Sequence, residues 1–297
     1  FFSDYSSIYF IEKRTIGIYS FFPIFWKKLD EVYTQDIFFN SIPSLIQKNN
    51  PVLHLIWLSP FKSFFKSIAD LNKFISTKNT YVLESGITFK EAFSILNYNI
   101  YLKLFVVFKS KNKIKIELEN GLNISDIIYA DLLNSLISPT FFQTLLIDIA
   151  MKKIDLSGIE KLLFRLEFQP FERAILYNTK NKVKTIGFQH SALSKNFLNY
   201  IFIKDELKGH WNNRSDSISM PLPDYIFTSG STGFDYMVEA GYPIDQIFIC
   251  GGIRYNELRE KAPHMSSRKK LRIEKNISIS DIIIFVASTP IIFETLG

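Results

Sequence analysis

Two residues that each close a β-like run are the best placed in this sequence to move a proton. His190 follows the apolar stretch IGFQ. An imidazole at a strand end has an ordinary pKa near neutrality, so it can take a proton from a hydroxyl or donate a hydrogen bond to a phosphate. The plainer alternative is a histidine that ties down its own loop. Gln189 and Ser191 flank it, and Gly187 lets another backbone approach closely. Glu167 ends the otherwise apolar run KLLFRLEF. A carboxylate at such a tip usually has a partner or a role. It can serve as the base, orient His190 from a neighbouring strand, or form a salt bridge, with Arg173 as a candidate partner. Both side chains are expected to project from strand ends toward solvent. Glu172, in the first turn of the next helix, suits the helix dipole.

Other polar groups fall at the ends of further β-like runs. They are Ser20, Ser59, Glu84 with Ser85, Gln169, Ser229 with Gly230, and Gly251 with Gly252. In an open parallel sheet all of these ends share one rim, where ligands bind. The segment SGSTG (Ser229–Gly233) joins a strand to a helix whose free N–H groups can hold an anion. It is neither a Walker loop nor a dinucleotide fingerprint, and Ser231 or Thr232 can simply cap the helix. Cys250 is expected to be a small core residue. The run RKKLR (Arg268–Arg272) reads as solvated linker, or as a contact to membrane or acceptor phosphates.

The elements that must position these groups alternate strand and helix, which argues an α/β fold with a largely parallel, Rossmann-like sheet. Thr15–Tyr19 is the first strand candidate, and a helix-like stretch follows to about Lys48. PVLHLIWLS, NTYVLES, KLLFRLEF, VKTIGFQHS, PDYIFTSG and QIFICGG read as further strands. TFKEAFSILNYNIYLKLFVVF reads as a long helix with a Thr cap and Glu91 in its first turn. Residues 109–150 read as helical, PFERAILYNTKN as a helix with Pro at its first position, and STGFDYMVEAGYP as a helix ended by Gly241. The basic stretch 259–275 reads as an interdomain linker, and IIIFVAST as the first strand of another domain. The expected division is thus 1–258, 259–275 and 276–297.

Composition narrows the classes. The 297 residues are 47% hydrophobic and 22% charged, which fits a folded chain and not a disordered one. The single cysteine allows no disulfide within the chain, and the four histidines are scattered, so neither a metal nor another cofactor is expected. A reducing, cytoplasmic setting fits. No apolar run of about 18 residues predicts a membrane span. The net charge of +6 is ordinary solubility charge, or favours an anionic membrane surface or phosphate-bearing substrate. No interleaved basic–aromatic motif points to nucleic acid.

RLEFQPFERAIL, TIGFQHS, PLPDYIFTSG and EAGYPIDQIFICGGIRYNEL, in that order, resemble the surface carbohydrate biosynthesis proteins, GT-B-type glycosyltransferase relatives of capsule and polyol-phosphate polymer synthases. IGIYSFFPIF and LHLIWLSPF are similar to that group's first strands. The resemblance is strongest over residues 166–258. It implies a glutamate at a strand end (Glu167, with Gln169 and Glu172), a histidine after the next strand (His190), a small-residue turn (Ser229, Gly230) and a Gly-Gly-x-Arg-Tyr segment (Gly252, Arg254).

The expectation is the N-terminal, acceptor-side half of a two-domain transferase, with the chain stopping as the donor-binding half begins. His190 and Glu167 would be catalytic, and Gln169, Gln189, Ser191, Ser229, Gly230, Gly252 and Arg254 would bind substrate. The implied partners are a nucleotide-sugar donor, held by the other half, and a glycan or lipid-linked acceptor, with peripheral membrane contact. The alternatives are polyol-phosphate transfer from a CDP-linked donor and a non-catalytic sugar- or nucleotide-binding scaffold.

Overall fold

Runs of β-branched and aromatic residues with no charge between them form strands that must be buried on both faces, as parallel sheets require. Thr15–Phe22 (β1) and Val52–Leu58 (β4) are of this kind and lie side by side in parallel, Ile18 opposite His54 and Ser20 opposite Ile56. The computed structural model describes residues 14–29, 32–58, 64–110, 115–191, 193, 198–202, 207, 220–255, 265–278 and 280–282. The remaining strands of the main sheet are Thr80–Val82 (β5), Ile159–Leu166 (β6), Lys184–Gln189 (β7), Tyr225–Thr228 (β8) and Ile247–Ile249 (β9). Trp26–Leu29 (β2) and Val32–Asp36 (β3) form a separate antiparallel pair.

The seven strands run in the order β5-β4-β1-β6-β7-β8-β9, all parallel. This is a Rossmann-like order. The chain leaves β1 toward one edge, crosses back after β5, and builds the other half from β6 outward. The reversal leaves a crevice beyond the carboxyl ends of β1 and β6.

Each face of the sheet has its own core. Leu53, Leu55, Leu162, Phe164 and Leu166 pack with α5 (Pro139–Lys153), α6 (Pro170–Thr179) and α7 (Ser231–Glu239) through Ile147, Ala150, Ile175 and Met237. On the opposite face, Ile16, Ile18, Leu163 and Phe188 meet Phe39 and the short helix α1 (Ile42–Ile46), while Phe22, Ile56 and Val82 meet Leu71 and Phe74 of α2 (Phe64–Thr77). Phe164 is fully buried; truncating it to alanine would cost about 3–5 kcal/mol. Two further helices, α3 (Phe89–Ser110) and α4 (Ser125–Ile137), belong to this part. The α3 N-terminus carries the capping box expected of it: Glu91 accepts from the Thr88 N–H at 2.9 Å, and the Thr88 hydroxyl accepts from the Glu91 N–H at 3.3 Å.

Several expectations need correction. The stretch after β1 is not helical to Lys48: it forms the β2–β3 hairpin and only five residues of α1. Its Trp, Tyr, Val and Thr residues favour a pleated surface, and that preference outweighs the helical spacing of its apolar residues. NTYVLES gives only three strand residues before Leu83–Gly86 turns into a 3₁₀ helix. Cys250 is exposed, because β9 is an edge strand with two outward-facing residues. The N-cap of α7 is Gly230, not Ser231 or Thr232.

The chain divides into one unit over Phe1–Arg254 and another over Tyr255–Gly297. In the second unit, Met265–Glu274 forms a helix (α8) within the stretch read as linker. Arg272 closes its C-terminus by donating to the carbonyls of Ser278 and Asp281, at 2.5 and 3.0 Å. The strand expected at IIIFVAST lies almost wholly outside the described residues. Among the described residues no single helix is long and apolar enough to cross a membrane.

Candidate functional site

Strand alternation selects what reaches the crevice. On β6, Leu162, Phe164 and Leu166 enter one core, so Leu163 and Arg165, with Glu167 just past the strand's end, share the other face. The register sets Arg165 beside Phe188 and Leu166 beside Gln189 on β7. One further step along that register sets Glu167 beside His190, and their side chains meet with His190 Nε2 at 3.0 Å from Glu167 Oε1. The same oxygen accepts from the Ser191 hydroxyl at 2.6 Å, and Glu167 Oε2 lies 3.4 Å from the Arg165 guanidinium. Arg165, and not Arg173, is therefore the cation beside Glu167; Arg173 lies over the Phe202 ring.

The two side chains do not project into solvent as expected: they are 16% and 14% exposed. The hairpin closes over them. The Phe38 ring packs edge-on against His190 with centroids 4.6 Å apart, and the Arg165 guanidinium lies 4.6 Å from the Phe25 centroid and 5.1 Å from that of Phe38. Arg254 approaches Phe38 to 5.4 Å. One aromatic ring thus touches an imidazole and two guanidinium groups, an arrangement stabilised by cation–π attraction. Phe38 is fixed from below by Asp36, which is buried, accepts from the Ser20 hydroxyl, and accepts from the Phe38 and Phe39 N–H groups at 2.7 and 3.1 Å. Burial pushes the Asp36 carboxyl up, against the lowering effect of these hydrogen bonds.

Protonation follows from the same geometry. His190 is pushed down to about 4, by burial first; Glu167 opposes that shift, while Arg165 and Arg254 reinforce it. The imidazole is then neutral at pH 7. A neutral ring whose Nε2 lies 3.0 Å from a carboxylate oxygen is most stable with its proton on that nitrogen, which leaves Nδ1 as a lone-pair acceptor. Nδ1 is buried and has no hydrogen-bond partner among the described residues.

The backbone around Glu167 is held under strain. Phe168 has φ 55°, a left-handed conformation that non-glycine residues adopt at a cost of about 1–3 kcal/mol. Its ring is locked among Tyr200, Phe202 and Tyr242. The Tyr200 hydroxyl donates to the Leu166 carbonyl at 2.5 Å, and the Tyr242 hydroxyl to the Tyr200 carbonyl at 2.9 Å. Glu172 completes the turn by accepting from the N–H groups of Glu167 at 2.8 Å and Gln169 at 3.2 Å. Its role exceeds that of a dipole partner. It is 1% exposed, one carboxyl oxygen has no hydrogen-bond partner among the described residues, and burial pushes it up to about 8.

The other candidates divide. Ser191 joins the Glu167–His190 pair, and Arg254 reaches it through Phe38. Gln169 stands at the α6 N-cap directly after the strained turn. The Gln189 side chain is spent within the protein: it accepts from the Ser229 N–H and hydroxyl at 2.9 and 3.0 Å and donates to the Ser191 carbonyl. Ser229 is consumed by the same brace. Gly230 is extended, with open space where a Cβ would stand. Gly252 follows β9, two strands away from β7.

Residue type alone passed over Arg165, Asp36 and the phenylalanines. For Arg165 a signal existed: it sits two residues before Glu167 in a strand, hence on the same face.

Beneath the pair, a cavity lined by Tyr19, Ser20, Phe25, Phe38, Arg165 and Glu172 is nearly filled, with space for a water-sized sphere over only about 10 Å³, and does not include Glu167 or His190 in its lining. Among the described residues, no group of three or more His, Cys, Asp or Glu side chains could hold a metal ion. No family model, curated protein or solved structure matches this chain.

Proposed function

We propose that this chain is the acceptor-side half of a GT-B-type glycosyltransferase of surface carbohydrate biosynthesis, in which His190 is the general base for an acceptor hydroxyl. The observation that carries the reading is the 3.0 Å pair between Glu167 and His190 at the carboxyl edge, one step from the strand-order reversal. Glu167 holds the imidazole through Nε2, so that Nδ1 takes the proton as the hydroxyl oxygen attacks the donor's anomeric carbon and the nucleotide leaves. The donor is a nucleotide sugar bound by a second domain, and the acceptor is a glycan or lipid-linked saccharide. Phe38 and Phe25 offer ring faces to a sugar once displaced.

The chain alone is expected to bind an oligosaccharide acceptor weakly and to turn over no nucleotide sugar. NMR titration with acceptor oligosaccharides should shift resonances of His190, Ser191 and Phe38. Shifts confined to other regions would remove the acceptor assignment, and sugar transfer by this chain alone would remove the two-domain reading.

A second reading, polyol-phosphate transfer from a CDP-linked donor, is favoured by the two guanidinium groups on Phe38, which suit a phosphate group. Competition by glycerol phosphate, and not by neutral sugars, for the same resonances would select it.

A further inference from the structure

We propose that the cavity beneath the Glu167–His190 pair is a binding site for one water molecule, held between the Tyr19 hydroxyl and the Glu172 carboxyl. The inference stands apart from the glycosyltransferase reading. Tyr19 lies on β1, an interior strand, and Glu172 in the first turn of α6, and both line the cavity. They are 3% and 1% exposed. Tyr19 Oη and Glu172 Oε1 have no hydrogen-bond partner among the described residues. Polar atoms so deep cost free energy if left unpaired, and a bonded partner removes that cost.

The cavity defines the partner. Its room, about 10 Å³ for a water-sized sphere, is about what one water needs and too little for a larger ligand. Its polar atoms suit water. Glu172 Oε2 already accepts from the N–H groups of Glu167 and Gln169 at 2.8 and 3.2 Å. A proton on this carboxyl therefore stands on Oε1 and is offered to the cavity. Burial, which pushes the carboxyl up to about 8, keeps that proton in place at pH 7. The Ser20 hydroxyl, also in the lining, gives its proton to Asp36 and keeps an oxygen lone pair. The Tyr19 hydroxyl can donate or accept. Three partners, with a donor and an acceptor among them, are the usual complement of a buried water. A cation would be repelled by the Arg165 guanidinium, which lines the same cavity. An apolar occupant would leave both oxygens unpaired. The water joins β1 to the first turn of α6, through the carboxyl that holds the Glu167 N–H.

The test has two arms. A crystal structure of the chain at neutral pH, fine enough to show ordered water, should place one water about 2.5–3.0 Å from both Tyr19 Oη and Glu172 Oε1. Tyr19→Phe keeps the ring and removes one partner of that water, so it should lower the melting temperature by about 2–4 °C. An unpaired hydroxyl would give the opposite result, because deleting it relieves the cost of its burial. A cavity without water, a water on only one of the two oxygens, a direct Tyr19–Glu172 hydrogen bond, or a melting temperature equal to or above the parent's overturns the proposal.

Discussion

Two stretches of this sheet's rim, one at its middle and one at its β9 edge, are built on different principles. At the strand-order reversal, the tips of β1, β6 and β7 carry Ser20, Arg165, Glu167 and His190, and each side chain is held by another. At the far edge, the tips of β8 and β9 carry Ser229, Gly230, Gly251 and Gly252, with Gly251 at φ 81° and open space around the Cβ positions of Gly230 and Gly251. One stretch spends burial and strain on charged groups; the other keeps its backbone bare. Both follow from the same parallel topology, so topology alone does not make a site. Strain at Phe168, the buried carboxyls of Asp36 and Glu172 with raised pKa values, and an unpartnered nitrogen of His190 stand together at the reversal and not at the β8–β9 edge.

The comparison breaks most visibly in catalysis. In an active two-domain form, His190→Ala and Glu167→Gln should each lower kcat by about 10²–10⁴-fold, the usual worth of a positioned acid–base group. The double variant should be little worse than the worse single one, because the pair acts as a unit. Comparable losses from substitutions at Gly230 or Gly252 would erase the distinction between the two stretches.

A smaller effect separates brace from site. A Cβ at Gly233 would stand 2.9 Å from Gln189 Oε1 and 3.4 Å from the Thr228 Cβ. Gly233→Ala should therefore cost about 1–3 kcal/mol in denaturant unfolding, as overpacking does. Stability equal to the parent would show that the Gln189 brace yields freely.

Glu172 sharpens the reversal stretch through pH. Its folded pKa, about 8, lies above its ordinary 4.5. Unfolding at a pH between these values releases the proton, so the stability this group contributes is whole below about 4.5 and is lost as pH rises toward 8. Glu172→Gln keeps the acceptor for Glu167 and Gln169 but cannot ionise. Its melting temperature should gain on the parent between about pH 5 and pH 8. Glu84, raised to about 8 by burial as well, leaves part of the pH slope in both proteins. A constant difference across that range would mean that Glu172 ionises freely in the fold. The smallest effect belongs to Gly230→Ala: φ is extended and nothing lies within 4 Å, so stability should change by less than about 0.5 kcal/mol.

Much of this was legible in the sequence, and the reasons are physical. Buried parallel strands show as largely apolar runs, free of charge in β1 and β4 and carrying a few charges in β6 and β7, so these strands and their common rim follow from pattern. Glu167 and His190 were visible because a charge or an imidazole interrupts such a run at its end. The β2–β3 hairpin was not legible, because short mixed runs such as WKKL and VYTQD fit either period. With the hairpin misread, Phe38 had no reason to meet His190, nor Asp36 to hold Phe38, and both side chains of the pair were expected to face solvent when Phe38 in fact packs on the imidazole. Gln189 and Ser229 looked like ligand contacts, because two polar residues on separate strand tips do not announce that they bind each other.

The central claim is that Glu167 holds a neutral His190 with its proton on Nε2 and its lone pair on Nδ1. Imidazole ¹⁵N shifts of His190, followed by NMR from neutral to acid pH in the folded chain, test it directly. The account predicts the Nε2–H tautomer at neutral pH, titration only near pH 4, and loss of the fixed tautomer in Glu167→Gln. A protonated Nδ1 at neutral pH, or titration near the ordinary 6.5 with no response to Glu167→Gln, would contradict it.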